Sequence, residues 1–341
     1  MPESVPLNVA VIGLGVGEQH ARTYARENSS HLKWLYDLDE ERAASLAGLL
    51  GDVGVAKNEA AIFNDEQTDV VSIASYDDDH FDQVIKGLEA GKTLFVEKPL
   101  CRTVDELQKI KAAWEKAGQP PVETNLVLRA APLYIWLKQE IAAGTFGDIY
   151  AIDGDYLYGR IHKIIDGWRK GVNNYSVMSG GGIHMIDLMV WLTGKSPSSV
   201  SSVGNRISTE GTSFQFNDFM ASTFRFPSGM IARITANFGC VHRHHHVLRI
   251  FGTKATFIYD DQGARLHTTR DENAQATPID LDPLPASKGS LIETFLKTIQ
   301  SNTFTPEQSK AAVQHNINVV SIVAAADRAV LSNQEESILY V

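Results

Sequence analysis

Short apolar segments alternate with amphipathic helical segments through the first third of the chain, and this alternation constrains the fold more than any other feature. Between about residues 8 and 122, the segments NVAVI, LKWLY, DVVSIA and TLFV are rich in β-branched and aromatic residues. Helix-like segments such as EERAASLAGLL and TVDELQKIKAAWEKAG separate them. A repeated strand and helix predict a parallel sheet covered by helices.

The remainder of the chain has a different pattern. Strand-like segments follow one another as DIYAIDGDYLY, MASTFRF, MIARITANF, VLRIF and ATFIY, and FPSG is typical of a turn between the second and the third. Two helical segments, SLIETFLKTI and QSKAAVQHNINVVSIVAAADRAV, come after them. We therefore expect two consecutive domains, an α/β domain over residues 1–124 and an α+β domain over residues 125–341.

Composition and charge limit the partners. With 341 residues, 43% of them apolar, the chain can bury a substantial core. A net charge of -10 at pH 7 and a pI near 5.6 argue against a general nucleic-acid or anionic-membrane surface. We expect neither a nucleic acid nor a membrane as a partner.

The sequence also favours a cytoplasmic location. Residues 1–6 are too few and too polar for a signal peptide, and the longest apolar candidate, residues 317–331, is interrupted by Asp327 and is interpreted as a packed helix. Cys101 and Cys240 lie far apart without a CxxC motif, which favours a reducing compartment.

A glycine-rich turn follows the first predicted strand. In GLGVGEQHARTYA, Gly13, Gly15 and Gly17 stand between strand and helix, where glycines permit a tight turn and let backbone N–H groups reach a pyrophosphate. The spacing is GxGxG, with Glu18 at the third position of the commoner GxGxxG, and by itself it also fits a plain strand-to-helix turn. Asp37 ends the second strand, where a carboxylate binds ribose hydroxyls and repels the phosphate of NADP, or caps the following helix. Together these features predict a dinucleotide site that favours NAD over NADP.

Lys98 follows the predicted strand TLFV in the sequence TLFVEKPL. Ligands of open α/β sheets bind at the carboxyl ends of the strands. This lysine is therefore either a solvent-facing loop residue or a neighbour of the nicotinamide ring, where it would bind or polarise a hydroxyl.

A histidine interrupts an apolar helical segment in GGGIHMIDLMVWLTG, residues 180–194. Apolar residues recur there at helical spacing, and Gly194 stands where a C-cap glycine is expected. His184 and Asp187 share one face of the first turn. The positive end of the helix dipole disfavours a protonated imidazole, so His184 is interpreted either as a neutral proton acceptor or as a histidine hydrogen-bonded within the core.

In this order, the motifs resemble those of the glucose-fructose oxidoreductase / inositol dehydrogenase / MocA (Gfo/Idh/MocA) family, and the resemblance covers nearly the whole chain. It rests on GLGVGEQHA with His20, DDDHFDQVIKGLEAGKTLFVEKPL with His80, TNLVLRAAP with Asn125, Arg129 and Pro132, GWRK, SGGGIHMIDLMVWLTG, and LRIFGTKATFIY.

The resemblance implies a Rossmann domain followed by an α+β domain with an open, mostly antiparallel sheet that often mediates dimers or tetramers. TNLVLRAAP would be the strand that crosses into the second domain, and LRIFGTKATFIY a paired-strand element of the large sheet. Cofactor-binding roles are implied for Gly13, Gly15, Val16, Gly17, Asp37, His80, Glu97 and Lys98. Substrate-binding roles are implied for Arg129, Tyr156, Arg160, His162, Trp168, Arg169 and His184.

The chain departs from the family at one position. The fuller pattern, DxGxH, has an aspartate four residues before the histidine, and Gly180 stands there in this sequence. The familiar lysine, aspartate and histidine triad is thus reduced to Lys98 and His184, which we expect to be the catalytic residues. Asp187 is expected to be structural.

Two segments are unusually rich in basic or imidazole side chains. GRIHKIIDGWRK, residues 159–170, is either a solvated loop or a border of the substrate site, where it would suit an anionic substrate such as a nucleotide sugar, a sugar phosphate or a uronate. HRHHH, residues 242–246, would place alternate histidines on one face of a strand, which permits metal binding in principle. With no acidic or cysteine partner evident, we assign no metal and expect a histidine-lined sugar pocket or plain surface exposure.

The predicted function is that of an NAD-dependent oxidoreductase that transfers hydride from a secondary hydroxyl of a sugar, a cyclitol or a sugar derivative, including an anionic one. The alternatives are an NAD-assisted glycosidase and a catalytically silent NAD-binding regulator. We expect a homodimer or a homotetramer.

Overall fold

The computed structural model describes residues 5–172, 174–301 and 305–341, apart from the side chain at position 170. The chain divides into two compact units. The first comprises the described residues up to Val127, those from Pro285 to Val320, and Val341. The second comprises those from Leu128 to Leu284 and from Ser321 to Tyr340.

The first unit contains a six-stranded parallel sheet. Its strands are β1 (Leu7–Ile12), β2 (Ser30–Tyr36), β3 (Gly54–Val55), β4 (Val70–Ile73), β5 (Thr93–Val96) and β6 (Val122–Thr124). Its helices up to β6 are α1 (Gly17–Tyr24), α2 (Glu40–Leu50), α3 (Glu59–Phe63), α4 (His80–Glu89) and α5 (Val104–Lys116). The strand order is β3-β2-β1-β4-β5-β6, and every neighbouring pair is parallel. This is the Rossmann order, and the predicted fold class of this unit is confirmed.

Local sequence accounts for these elements. All four residues of β4 are buried, as expected for a parallel strand covered on both faces. Helix α5 begins with a capping box, in which Thr103 accepts a hydrogen bond from the backbone N–H of Glu106 and the Glu106 side chain bonds back to the backbone N–H of Thr103.

The second unit is built on a nine-stranded sheet. Its helices are α6 (Pro132–Ala142), α7 (His162–Ile165) and α8 (Ile183–Thr193), with 3-10 turns at Val127–Ala130 and Trp168–Gly171. Its strands are β7 (Ile149–Leu157), β8 (Ser199–Asn205), β9 (Phe219–Arg225), β10 (Ile231–Asn237), β11 (His245–Gly252), β12 (Thr256–Asp260), β13 (Gly263–His267) and β14 (Thr277–Ile279). Helices α9 (Ser290–Gln300) and α10 (Pro306–Ser332) and strand β15 (Glu336–Ser337) complete the chain.

The order of the large sheet is β14-β13-β12-β11-β7-β10-β9-β8-β15. Only β7 and β10 pair in parallel, and the other neighbours are antiparallel. The predicted open, mostly antiparallel sheet is therefore confirmed. The predicted turn at FPSG joins β9 to β10, where the N–H of Gly229 donates to the carbonyl of Phe226 at 2.9 Å.

The segment TNLVLRAAP, predicted to be the strand that crosses into the second domain, is not one continuous strand. Strand β6 ends at Thr124, the chain then forms the 3-10 turn Val127–Ala130, and α6 begins at Pro132. Proline suits the first turn of a helix, because the N–H that it lacks would have no partner within the helix. Strand β8 was not predicted, because its sequence SVSSVGN is rich in serine and glycine.

The two consecutive domains that we expected, 1–124 and 125–341, do not match the compact units. Helix α9 belongs to the first unit, where Ile292 and Leu296 are fully buried and the ring of Phe295 lies 5.5 Å from that of Phe95. The division between the units then falls within α10. No helix in the described ranges is both long enough and apolar enough to cross a membrane.

Candidate active site

The glycine turn between β1 and α1 has the shape of a dinucleotide cradle. Gly13 has a φ of +82°, and a Cβ there would come within 2.6 Å of the backbone of Ala74. A Cβ on Gly17 would come within 2.9 Å of the Ala74 Cβ. Beside Gly15 the space is open, with nothing within 4 Å of an added Cβ. Two glycines therefore allow close packing, while the middle one leaves the backbone at the start of α1 open to a pyrophosphate, and these residues fit NAD.

Asp37 is held beside this turn. Its Oδ2 accepts a hydrogen bond from the N–H of Leu14 at 2.6 Å, and its Oδ1 accepts one from the N–H of Asp39 at 2.8 Å. The cap of α2 is Asp39, which accepts from the N–H of Arg42, so Asp37 is not the helix cap. Each carboxylate oxygen of Asp37 keeps a lone pair with which a ribose hydroxyl can bond.

Glu97 is engaged by the protein itself. Its Oε1 lies 3.1 Å from His20 Nε2 and accepts a hydrogen bond from Asn125 Nδ2 at 2.6 Å. Burial acts to raise the pKa of Glu97, but the His20 bond and charge, Lys98 and Asn125 outweigh it and lower that pKa to about 2. Glu97, predicted to bind the cofactor, thus holds the segment that carries Lys98, and sequence reasoning left His20 and Asn125 out of the site.

His80 also supports the Lys98 segment. Its Nδ1 lies 2.7 Å from the carbonyl oxygen of Pro99, and its Nε2 lies 3.3 Å from that of Ser75. The ring lies between the turn after β4 and the turn after β5, and an N–H of the ring donates to one of these carbonyls. His80, another predicted cofactor residue, thus contacts protein backbone, and Lys98 beside this support is half-buried.

In the second unit, His184 lies in a cluster of aromatic and imidazole rings. The ring of Tyr156 stacks on it, with centroids 6.0 Å apart and planes inclined by 20°, and the ring of His246 lies 6.5 Å away. His184 is 8% exposed. Burial raises the pKa of Tyr156 well above its ordinary value, so its hydroxyl stays protonated and can donate to a substrate. The structure thus brings together two of the predicted substrate residues, His184 and Tyr156.

The helical segment that carries His184 begins earlier than its glycines suggested, at Met178, so His184 does not lie in its first turn. A π-helical turn spans Met178–Gly182, and α8 runs from Ile183 to Thr193. Its C-cap, Gly194, is left-handed, as predicted. A Cβ on Gly182 would overlap the sulfur of Met178, so this glycine allows the close approach of a side chain one turn earlier.

The other two glycines make room for tyrosine rings. A Cβ on Gly181 would overlap the ring of Tyr156, and a Cβ on Gly180 would overlap the hydroxyl of Tyr175. Tyr175 was not among the residues predicted for the site. The run of glycines was the available signal, since adjacent glycines in a buried helix mark a close approach by other groups.

The basic loop gathers around Tyr158. The guanidinium carbons of Arg160 and Arg169 lie 5.7 Å and 6.0 Å from its ring centroid, and that of Arg169 lies 4.6 Å from the ring of Trp168. Tyr158 in turn stacks near Tyr156, with centroids 6.1 Å apart. Arg160, Trp168 and Arg169, three predicted substrate residues, thus adjoin the ring cluster.

The two remaining predicted substrate residues, His162 and Arg129, lie in other surroundings. His162 is exposed at the start of α7. Arg129 forms an ion pair with Asp187, at 2.6 Å between Nη2 and Oδ1. The expected structural role of Asp187 agrees with this contact, and Arg129 serves to hold α8.

The histidine run HRHHH is only partly a strand. Strand β11 begins at His245, and His242 lies before it with its Nε2 2.9 Å from Asp261 Oδ2, so the acidic partner that the sequence did not reveal exists. The rings of His244 and His246 lie 5.2 Å and 5.3 Å from that of Tyr156. No group of three or more His, Cys, Asp or Glu side chains in the described part of the chain is arranged to hold a metal ion.

A Rossmann-ordered sheet, an open glycine turn and a carboxylate after the second strand are the features of a dinucleotide-binding chain. The chain belongs to the Gfo/Idh/MocA family. Residues 7–124 match the family model described as "Oxidoreductase family, NAD-binding Rossmann fold", and residues 134–258 match the "GFO/IDH/MocA C-terminal domain".

Two relatives are named as a cyclitol dehydrogenase and a glucoside dehydrogenase. The inositol 2-dehydrogenase 2 of Saccharopolyspora erythraea is 28% identical over 191 residues, which cover 55% of this chain and 54% of that protein. The D-glucoside 3-dehydrogenase of Escherichia coli K12 is 26% identical over 297 residues, which cover 80% and 81% of the two chains. The chain thus spans about half the length of the first of these relatives.

Solved structures share the fold. An NAD-binding oxidoreductase from Klebsiella pneumoniae superposes with a TM-score of 0.84 at 19% identity, covering 99% of this chain and 100% of that one. A levoglucosan dehydrogenase in complex with NADH and levoglucosan superposes with a TM-score of 0.82 at 22% identity, covering 98% and 100%.

Proposed function

We propose that the chain is an NAD-dependent dehydrogenase that oxidises a secondary hydroxyl of a sugar, a cyclitol or a sugar derivative. The observation that carries this proposal is the glycine turn, in which Gly13 and Gly17 are required by packing and Gly15 leaves the backbone open. The relatives named as inositol and glucoside dehydrogenases support the substrate class.

His184 is the proposed general base. His184 is buried among aromatic and imidazole rings, and a neutral imidazole nitrogen can accept the hydroxyl proton. Lys98 is proposed to stabilise the developing alkoxide as a positive charge. NAD, when bound, supplies the two-electron acceptor.

The preference for NAD over NADP is proposed from Asp37. Its carboxylate is fixed by the N–H groups of Leu14 and Asp39, which places a charge directly on the turn. A fixed negative charge at this position repels a 2′-phosphate. Arg42 lies 3.7 Å from Asp37, but its side chain is half-exposed, so solvent weakens its compensating effect.

An anionic substituent on the substrate is proposed from Arg160 and Arg169. Their guanidinium groups flank Tyr158, which adjoins Tyr156 in the ring cluster of His184. Guanidinium groups bind carboxylates and phosphates through paired hydrogen bonds, so a uronate, a sugar phosphate or a nucleotide sugar would suit this arrangement.

A substrate panel of sugars, cyclitols, uronates and nucleotide sugars, followed by NADH absorbance and product analysis, tests the proposal. We expect at least one compound of the panel to yield NADH together with a keto product. Cleavage of a glycoside without net NADH would indicate an NAD-assisted glycosidase instead. Inertness on every member, with NAD bound, would indicate a silent regulator.

We propose further that the chain forms a homodimer or a homotetramer and functions in the cytoplasm. Cys101 and Cys240 are free thiols, which is consistent with a reducing compartment. Light scattering coupled to size-exclusion chromatography measures the assembly, and a monomer at micromolar concentration would contradict this part of the proposal.

A further inference from the structure

The hydroxyl of Tyr175 lies where a side chain at position 180 would begin. Residue 180 precedes His184 by four positions, so side chains at the two positions would lie on one face of the turn. A Cβ built on Gly180 would overlap the Tyr175 hydroxyl and come within 2.7 Å of its Cζ. Tyr175 therefore brings an oxygen to the π-helical turn before α8, on the face that also carries His184.

The ring of Tyr175 is fixed by its neighbours. It is 6% exposed, and it packs edge-on against Phe214 at 5.8 Å and against Phe238 at 6.5 Å between centroids. Phe238 also stacks on Tyr156, which stacks on His184. The position of the hydroxyl is thus set by the same ring cluster that surrounds the imidazole.

The backbone beside Tyr175 is anchored as well. Ser176 donates from Oγ to Asp327 Oδ1 at 2.6 Å and accepts from the N–H groups of Met178 and Ser179. The N–H of Gly180 donates to the carbonyl of Ser176 at 2.8 Å. These bonds hold Tyr175 and Gly180 in a defined relationship.

We propose that Tyr175 is a positioning residue for His184. Its neutral hydroxyl occupies the space that a carboxylate side chain at position 180 would fill. The inference rests on the proposed role of His184 as the proton acceptor. A neutral neighbour does not stabilise imidazolium as a carboxylate does, so the base form of His184 persists to lower pH.

Other titratable groups also surround His184. Tyr156 faces it from β7 and His246 from β11, and Asp187 lies on its own helix. The charge of Asp187 is compensated by Arg129. A carboxylate placed at position 180 would add an anion to a face that has a hydroxyl in the wild type.

The test is a pH titration of His184, monitored by NMR of histidine-labelled protein. The signal of His184 is assigned as the one that is lost in His184→Gln. In the double variant Gly180→Asp with Tyr175→Ala, removal of the ring makes room for the carboxylate. We expect the titration midpoint of His184 to rise by about one pH unit or more. Gly48→Asp is the matched control, because nothing lies within 4 Å of a Cβ at that helix position, and it should leave the midpoint unchanged.

Two further variants keep the inference open to refutation. Gly180→Asp alone should unfold at a lower temperature than the double variant, because the new side chain and Tyr175 compete for one space. Tyr175→Phe removes only the hydroxyl oxygen, and we expect it to alter the imidazole nitrogen shifts of His184 and to lower kcat about tenfold with little change in KM. Tyr150→Phe, at a tyrosine that is 54% exposed, is the control for loss of a hydroxyl.

An unchanged midpoint in a folded double variant, or unchanged nitrogen shifts in Tyr175→Phe, would overturn the inference. The titration needs no substrate, so it is separable from the proposed function. If His184→Ala kept full activity, His184 would not be the base. The titration of the wild-type ring would still decide whether Tyr175 positions His184.

Discussion

Arg129 and Asp187 form a buried ion pair that ties the 3-10 turn Val127–Ala130 to helix α8. Nε of Arg129 lies 3.1 Å and 3.0 Å from the two carboxylate oxygens of Asp187, and Nη2 lies 2.6 Å from Oδ1. The Asp187 side chain is 1% exposed and that of Arg129 is 13% exposed. The pair therefore fixes the helix that carries His184 at a point shielded from water.

Arg129→Ala is expected to lower the free energy of unfolding by about 3 kcal/mol or more, because it leaves a buried carboxylate without this counter-charge. Denaturant unfolding followed by tryptophan fluorescence measures the loss. The matched control is Arg233→Ala, which breaks an ion pair with Asp153 where the arginine is 53% exposed, and it should cost less than about 1 kcal/mol. Equal losses in the two variants would contradict the prediction.

Asp327 gives the second unit a pH-dependent stability. Burial raises its pKa to about 7, against the opposing effects of the Ser176 hydrogen bond and Arg328. The folded chain therefore keeps a proton that the unfolded chain loses near pH 4, and the free energy of unfolding should fall as the pH rises from about 4 to about 7. At about 1.4 kcal/mol per pKa unit, the total fall attributable to this group is about 4 kcal/mol at most.

Asp327→Asn should remove this contribution, because the amide oxygen can still accept from Ser176 and carries no charge. Thermal or denaturant unfolding of the wild type and the variant at pH 5 and pH 8 tests the point. The wild type should lose more stability than the variant between these two values. An identical loss in both would assign the pH dependence to other groups.

Asp37→Ser should weaken the binding of NAD and narrow its advantage over NADP. The substitution removes a ribose acceptor and the charge that repels a 2′-phosphate. Calorimetric titration with each cofactor measures both affinities. Asp52→Ser, at an exposed carboxylate outside the turn, is the control and should change neither. Tighter binding of NADP than of NAD by the wild type would refute the assignment.

Lys98→Ala and His184→Ala should each reduce turnover by roughly a hundredfold or more, which is the usual scale for the loss of a positioned proton-transfer group. The affinity for NAD should change little, because neither side chain belongs to the proposed pyrophosphate or ribose site. Steady-state kinetics on a substrate from the panel, together with cofactor titration, separate these effects. Exposed Lys57 and His31 supply matched alanine controls that should retain wild-type turnover. Normal turnover of His184→Ala would show that another group is the base.

Several site residues could be predicted because their signals are local. Gly13, Gly15 and Gly17 stand between a strand and a helix, and their packing agrees with the roles expected of such a turn. The ring cluster of His184 contains the predicted Tyr156 but also His246, which the sequence offered only as one member of a histidine run. Its place beside His184 depends on the pairing of β11 with β7, where His246 lies opposite Tyr156.

The sequence by itself determined the parallel sheet, the cofactor turn and the helix that carries His184, because hydrophobic period and glycine spacing act over a few residues along the chain. Only the tertiary structure decided that α9 packs with the first unit, that Arg129 holds Asp187, and that Tyr175 occupies the space beside Gly180. In the first two cases the partners are far apart in sequence, and in the third a buried ring must turn back onto a helix that follows it. Such contacts are selected by packing and charge compensation in the folded chain, for which no local pattern exists.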